Sequence, residues 1–390
     1  MKKAIAFILS CSLTAAAVLQ GIPANAAGAA EAEIAVQSVS GEFEYKVTDE
    51  EMKSCQVTGY TGDEAEIAVP ETLDGYTVES IGSGAFSWGT MESVSLPDTV
   101  RTIETSAFAG CSALAVLELP DGITSIGGSA FSGCSSLAEF DYPMNWKTAG
   151  RSIFSRCSSL TEIRVPEGVT EIPALAFSSA GHLESIVLPD TVRIIGERAF
   201  EDSGLLAIHL PEGVETIGRD AFSGSSIKSV TFPESLKTLE QGAFSGCASL
   251  ESAEIPSGLE SWGYRVFEDC TGLVSVCVPG SAGSIPASTF EGCTALDQVE
   301  IAEGVTGIGA DAFHGCTGLM KIYLPDSIER IGGNAFRNCS GLEEFRYPAG
   351  WSSAGWSIFR GCTSLQRLEI PEGVEKIPDG AFSYAELTEV

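Results

Sequence analysis

The sequence predicts a β-rich solenoid of about fourteen coils, entered through a small N-terminal β cap. Three observations carry that reading. Phenylalanine returns at Phe86, Phe108, Phe131, Phe154 and onward to Phe382, always 22 or 23 residues apart. The same apolar positions recur around each of these rings. A Pro-x-Gly-type turn or a close variant of it punctuates most units. A repeat this short cannot bury its own apolar face, so each unit must stack on its neighbours.

Residues 1–26 read as an export signal. Lys2 and Lys3 precede a largely apolar stretch, Ala4 to Leu19, and Ala24-Asn25-Ala26 supplies a small-x-small cleavage site. A competing reading makes Ile8-Leu9-Ser10-Cys11 a lipoprotein processing site, but the apolar stretch runs well past Cys11. No later segment is long and apolar enough to span a membrane. Residues 27–40 are small and polar, as in a linker. Across 41–75, Phe43 and Tyr45, Val57 and Tyr60, and Ile67 and Val69 alternate with polar residues. Half-buried strands alternate in this way, and this segment is expected to cap the first coil. The solenoid is then expected over 76–390. Because it stops at Val390 inside the strand of a new coil, the chain is expected to be truncated there.

One unit illustrates the rest. After Phe108 come Gly110-Cys111, Leu114, Leu117 and Leu119, then Pro120-Asp121-Gly122, Ile123, Ile126-Gly127 and Ala130-Phe131. The leucines give a short strand whose alternate residues face inward. Pro-Asp-Gly reads as a type I turn with proline supplying φ. Ile123, Ile126 and the next phenylalanine line a second side of the coil.

The unit Leu-x-x-Ile-x-Leu-Pro-x-x-Val-x-x-Ile-Gly-x-x-Ala-Phe-x-x-Cys resembles the BspA-like, or Treponema-type, bacterial leucine-rich repeats over about residues 65–390. The resemblance implies a curved leucine-rich-repeat solenoid, secreted or on the bacterial surface. It also implies a role in binding host proteins or other bacteria, with no catalytic residues to carry over.

Nine cysteines stand three residues after a repeat phenylalanine, and only in turns of the longer length. That dependence makes them turn fillers, small hydrophobes expected to remain free thiols. Cys277 differs: between Val276 and Val278, the pleat turns it outward. A longer echo of 205 residues relates Trp146 and Ala149 to Trp351 and Ala354. In both places tryptophan replaces the usual Val or Ile while the partner Ile shrinks to Ala, so volume is kept and the indoles read as core fillers.

Composition excludes several functions. The net charge is −31, and removing residues 1–26, with two lysines and no acids, leaves −33. Nucleic acids and anionic membranes need clustered Lys and Arg, so neither is an expected partner. Self-repulsion favours a monomer. His182, His209 and His314 lie in different coils at unrelated positions, and no Cys-x-x-Cys or nucleophile motif occurs. The chain is therefore not expected to be an enzyme, nor to hold a cofactor or metal. An acidic column, Glu167, Asp190, Glu212 and Glu234, would line up on stacking. It reads as solvated turn positions, since calcium loops draw several ligands from one tight turn.

The outward strand positions are the natural binding surface. Lys321, Tyr323, Arg346 and Arg367 gather in the later coils, beside Glu300, Glu344 and Glu369. On an acidic body this patch fits an acidic protein or a glycan, because Tyr and Arg dominate binding hot spots. The plainer alternative is cross-strand charge pairing on a solvated sheet. The leading expectation is a secreted or cell-surface adhesion module. The alternative is a structural spacer stalk in a larger surface protein, for which fourteen coils at about 4.8 Å would give roughly 65–70 Å.

Overall fold

The computed structural model describes residues 37–143, 148–372, 374, 375, 377, 379–382 and 385. The leader, residues 1–26, and most of the linker lie outside the described residues. Residues 37–390 form one unit.

Three strands open it: β1 (Ser38–Ser40), β2 (Phe43–Asp49) and β3 (Ser54–Tyr60), paired antiparallel in sequence order. Phe43 and Tyr60 face each other at 5.0 Å, and Tyr60 lies 5.9 Å from Phe86, the first ring of the repeat ladder. Next come β4 (Glu66–Ala68), β5 (Thr72–Leu73), β6 (Tyr76–Ile81) and β7 (Ser93–Ser95). β3 pairs parallel with β6, whereas β4 pairs parallel with β7. Coil-to-coil pairing therefore already includes residues 66–68, ahead of position 76.

Beyond β7 most coils contribute two short parallel strands, although the coil of Leu137 to Pro143 has none in the first column. One column links Glu162–Arg164 to Ser185–Val187, Ser252–Glu254 to Ser275–Val278, and Glu344–Arg346 to Arg367–Glu369. The other aligns Ile172, Ile195, Ile217, Leu239 and Trp262 as successive partners. Register follows burial, because a one-residue slip would turn every inward side chain to solvent.

The phenylalanines stack as one file. Thirteen consecutive ring pairs, from Phe86–Phe108 to Phe359–Phe382, have centroids 4.9–5.8 Å apart and planes within 22° of parallel. That is offset-stacked geometry, worth about 0.5–1.5 kcal/mol per pair beyond the area buried.

A third ladder runs through the phenylalanine arc, where no strand forms. Ser106, Phe108 and Gly110 donate their N–H groups to Gly128, Ala130 and Ser132 of the next coil at 2.9, 2.8 and 2.7 Å. The residues two before and two after the ring are left-handed: Ser106 at φ 58° and Gly110 at 76°, Ser152 at 59° and Arg156 at 62°. The N–H groups between them turn back into their own coil, Ala107 to Glu104 and Ala109 to Ser106 at 3.3 and 3.0 Å, so an arc without a strand still satisfies its donors. Each non-glycine residue held so costs about 1–2 kcal/mol.

The Pro-x-Gly turn differs from expectation in one respect. Pro97 and Pro120 accept through their carbonyls from Val100 and Ile123 N–H, at 3.0 and 3.3 Å. Proline thus holds the first corner, so its ring does not set the turn's central φ. Gly168 and Gly304, at φ 92° and 105°, make their turns type II rather than type I.

The cysteines fill turns as their spacing implies. Cys111, Cys134, Cys270 and Cys339 are fully buried, and each thiol donates to the phenylalanine carbonyl of the preceding coil at 3.0–3.2 Å. Trp351 is 2% exposed and packs edge-on against Phe345 and Phe382. It is a core filler; Trp146 lies outside the described residues.

Candidate functional site

The outward face of the first strand column is built by alternation. In Ser185–Val187, Glu344–Arg346 and Arg367–Glu369 the central residue is buried and the two flanking ones are exposed. Each of these coils thus presents two outward side chains, and stacking arranges them in two columns. The first holds Gln298, Lys321, Glu344 and Arg367; the second holds Glu300, Tyr323, Arg346 and Glu369. All eight are exposed, Tyr323 to 66%.

The structure brings Lys321, Tyr323, Arg346 and Arg367 to the walls of one shallow depression with Glu344 and Glu369. It encloses about 60 Å³. Small-molecule pockets run to about 300–1,000 Å³, so this is a feature of a broader contact surface. Lys321 and Tyr323 also border a second depression on the N-terminal side, where Glu254, Asp297 and Glu300 stand. The face is therefore uneven in charge: acidic over the coils of Glu254 to Glu300, and mixed over those of Lys321 to Arg367, where three cations stand among Glu344 and Glu369. The sequence reading singled out the mixed half and passed over Glu254 and Asp297. Their signal was present as acids in the outward column and at the strand entry.

Cross-strand pairing does not neutralise this patch. Lys321 is the register partner of Glu344, Glu344 of Arg367, and Arg346 of Glu369. Even so, among the described residues none of them joins an ion pair within 4.0 Å.

Other candidates do not assemble chemistry. His314 lies 3.0 Å from Glu291 through Nδ1 and 3.2 Å from the Asn338 amide through Nε2, while His182 and His209 are exposed in other coils. Glu167, Asp190, Glu212 and Glu234 are all exposed, and among the described residues no three His, Cys, Asp or Glu side chains are grouped to hold a metal. Cys277 is half-buried, and desolvation, then Glu300 and Glu254, push its thiol pKa up, away from nucleophilic character. Among the described residues no helix is long and apolar enough to cross a membrane.

The BspA type Leucine rich repeat region (6 copies) matches residues 79–206, 170–297 and 283–390. Solved structures agree. A leucine-rich repeat protein from Bacteroides ovatus is 29% identical, with 90% of this chain and 99% of that one covered and a TM-score of 0.72. A leucine rich cell surface protein from Faecalibacterium prausnitzii is also 29% identical, covering 85% and 97%, with a TM-score of 0.55. A leucine-rich repeat protein from Eubacterium ventriosum, 23% identical over 88% and 98% with a TM-score of 0.55, shares the fold. No curated protein matches the chain.

Proposed function

The chain belongs to the BspA-type leucine-rich-repeat family, and on that premise we propose that it is a secreted or cell-surface binding module, in which the outward strand face takes a protein or glycan partner. Lys321, Tyr323, Arg346 and Arg367 form the contact, and no catalytic role is proposed. The observation that carries this reading is the set of three cations and an exposed tyrosine on adjacent rungs, in no ion pair among the described residues, on a body of net charge −31. Cations left unpaired in a shallow, open surface are available for charge-assisted hydrogen bonds to carboxylate or sulfate groups. The leader-like residues 1–26 and the likeness to a protein named for the cell surface support the location. We further propose that the opening hairpin, within residues 41–75, covers the apolar end of the first coil.

Capture on immobilised chain from residue 27 onward, against surface-protein extracts and a glycan array, tests this. A partner retained by the wild type and released at least about tenfold more readily by Arg346→Glu supports it. Unchanged capture by Arg346→Glu removes the patch. No capture at all favours the spacer, for which the unbroken ring file is the supporting observation.

A further inference from the structure

The two outward columns carry an order that capture of an unrelated partner does not use. Glu344–Arg346 presents acid then base, and Arg367–Glu369 presents base then acid. One rung earlier, Lys321 and Tyr323 take the same two positions. Each of these strands is thus the complement of its own reversal.

We propose that this face is self-complementary and that its partner is a second copy of this chain, laid face to face about a two-fold axis that runs along the stacking direction between the two columns. The inference rests on the reading that this face binds. Such a rotation preserves rung order and reverses strand direction, so the first outward position of a strand meets the third position of the same strand in the copy. Glu344 then faces Arg346 of the second copy, and Arg346 faces its Glu344. Arg367 and Glu369 pair in the same reciprocal way. Lys321 comes over the Tyr323 ring, a cation–π contact. The two preceding rungs, Gln298 with Glu300 and Ser275 with Cys277, bring no like charges together. Every contact occurs twice, as an isologous interface requires.

Alternative arrangements fit less well. A two-fold axis along the strands, centred on the Lys321 rung, sets Lys321 against itself; centred one half-rung further on, it sets Glu300 against Glu369. The match runs over consecutive rungs in the later coils; Glu162 and Arg164 repeat the acid-then-base order in an earlier strand, but one coil before them Glu139 and Asp141 hold the same two outward positions and would repel their copies. The whole-chain charge opposes association, so the paired rungs must outweigh a long-range repulsion that salt screens. Salt alone is therefore a poor probe, and charge exchange at one ionic strength is the decisive one.

The chain from residue 27 onward contains the whole unit 37–390 and is the material to test. Sedimentation analysis should show the wild type dimerising with concentration. Arg346→Glu and Glu344→Arg should each raise the dimer dissociation constant at least about tenfold. An equimolar mixture of those two variants should recover a heterodimer, because one then presents two acids and the other two bases. The double exchange within one chain should recover a homodimer. Circular dichroism melting curves establish that each variant is folded. A wild type that stays monomeric, single variants that dimerise normally, or a mixture that does not recover would each overturn the proposal. If the wild type is monomeric while Arg346→Glu still loses captured protein or glycan, the binding face stands and the second copy is not its occupant. If Arg346→Glu changes neither readout, both readings fall.

Discussion

A buried thiol in this fold is held by its surroundings in the neutral form. Burial raises Cys111 and Cys247 from the ordinary 9.0 to about 11, and Cys157 to about 12, against a smaller lowering by hydrogen bonds. In the window above 9 the folded thiol keeps a proton that the unfolded chain has lost. The stability it contributes is therefore complete below about pH 9 and is lost as pH rises through 11. Urea denaturation under reducing conditions should show stability falling from neutral pH to about pH 10, with a shallower fall in Cys247→Ala. Equal slopes for the two proteins would dismiss the thiol as the cause. The packing role of these cysteines was legible because their presence tracked turn length. Their bond to the preceding phenylalanine carbonyl was not, since it depends on where the adjacent coil lies.

A coil answers to volume as well as pattern. Trp351 fills the place of the usual Val, and Ala354, paired in register with Ile331, takes the place of the usual Ile. Trp351→Val should cost on the order of 3 kcal/mol through the cavity it leaves. Adding Ala354→Ile should recover at least half of that loss, since the pair restores the ordinary filling. Urea midpoints of the single and double variants decide it; further destabilisation by Ala354→Ile would refute the exchange. Inward positions such as these were readable in advance, because volume and hydrophobicity leave a mark on residue type. The left-handed arc was harder to see. Gly110, Gly133, Gly246 and Asn338 two residues past the ring hint at it, but Arg156 and Trp88 occupy the same position at φ 62° and 61°. There the hydrogen bonds to the neighbouring coil override what the side chain prefers.

The whole unit carries far more acid than base. Among the described residues its ion pairs are few and wholly or partly exposed, as in Lys237–Glu215 at 3.0 Å and Arg151–Glu197 at 3.9 Å. Exposed pairs contribute about 0–1 kcal/mol, so repulsion among the remaining carboxylates dominates the electrostatics. Raising NaCl from about 20 to about 200 mM should therefore raise Tm, as the Debye length shrinks. A Tm that stays level or drops would mean the pairs matter more than the excess charge.

Periodicity along the chain was enough to determine the coil length, the inward columns, the ring file and the cysteine positions. Each coil meets the same kind of neighbour above and below, so the core is a one-dimensional problem written once per unit. The outward face escaped that logic because its residues do not repeat. Whether Lys321, Glu344 and Arg367 stand in line, and whether they neutralise one another, depends on the register of segments 23 residues apart and on the distances left between their side chains. Only the folded structure decides that, and with it the order of charge that a partner would meet.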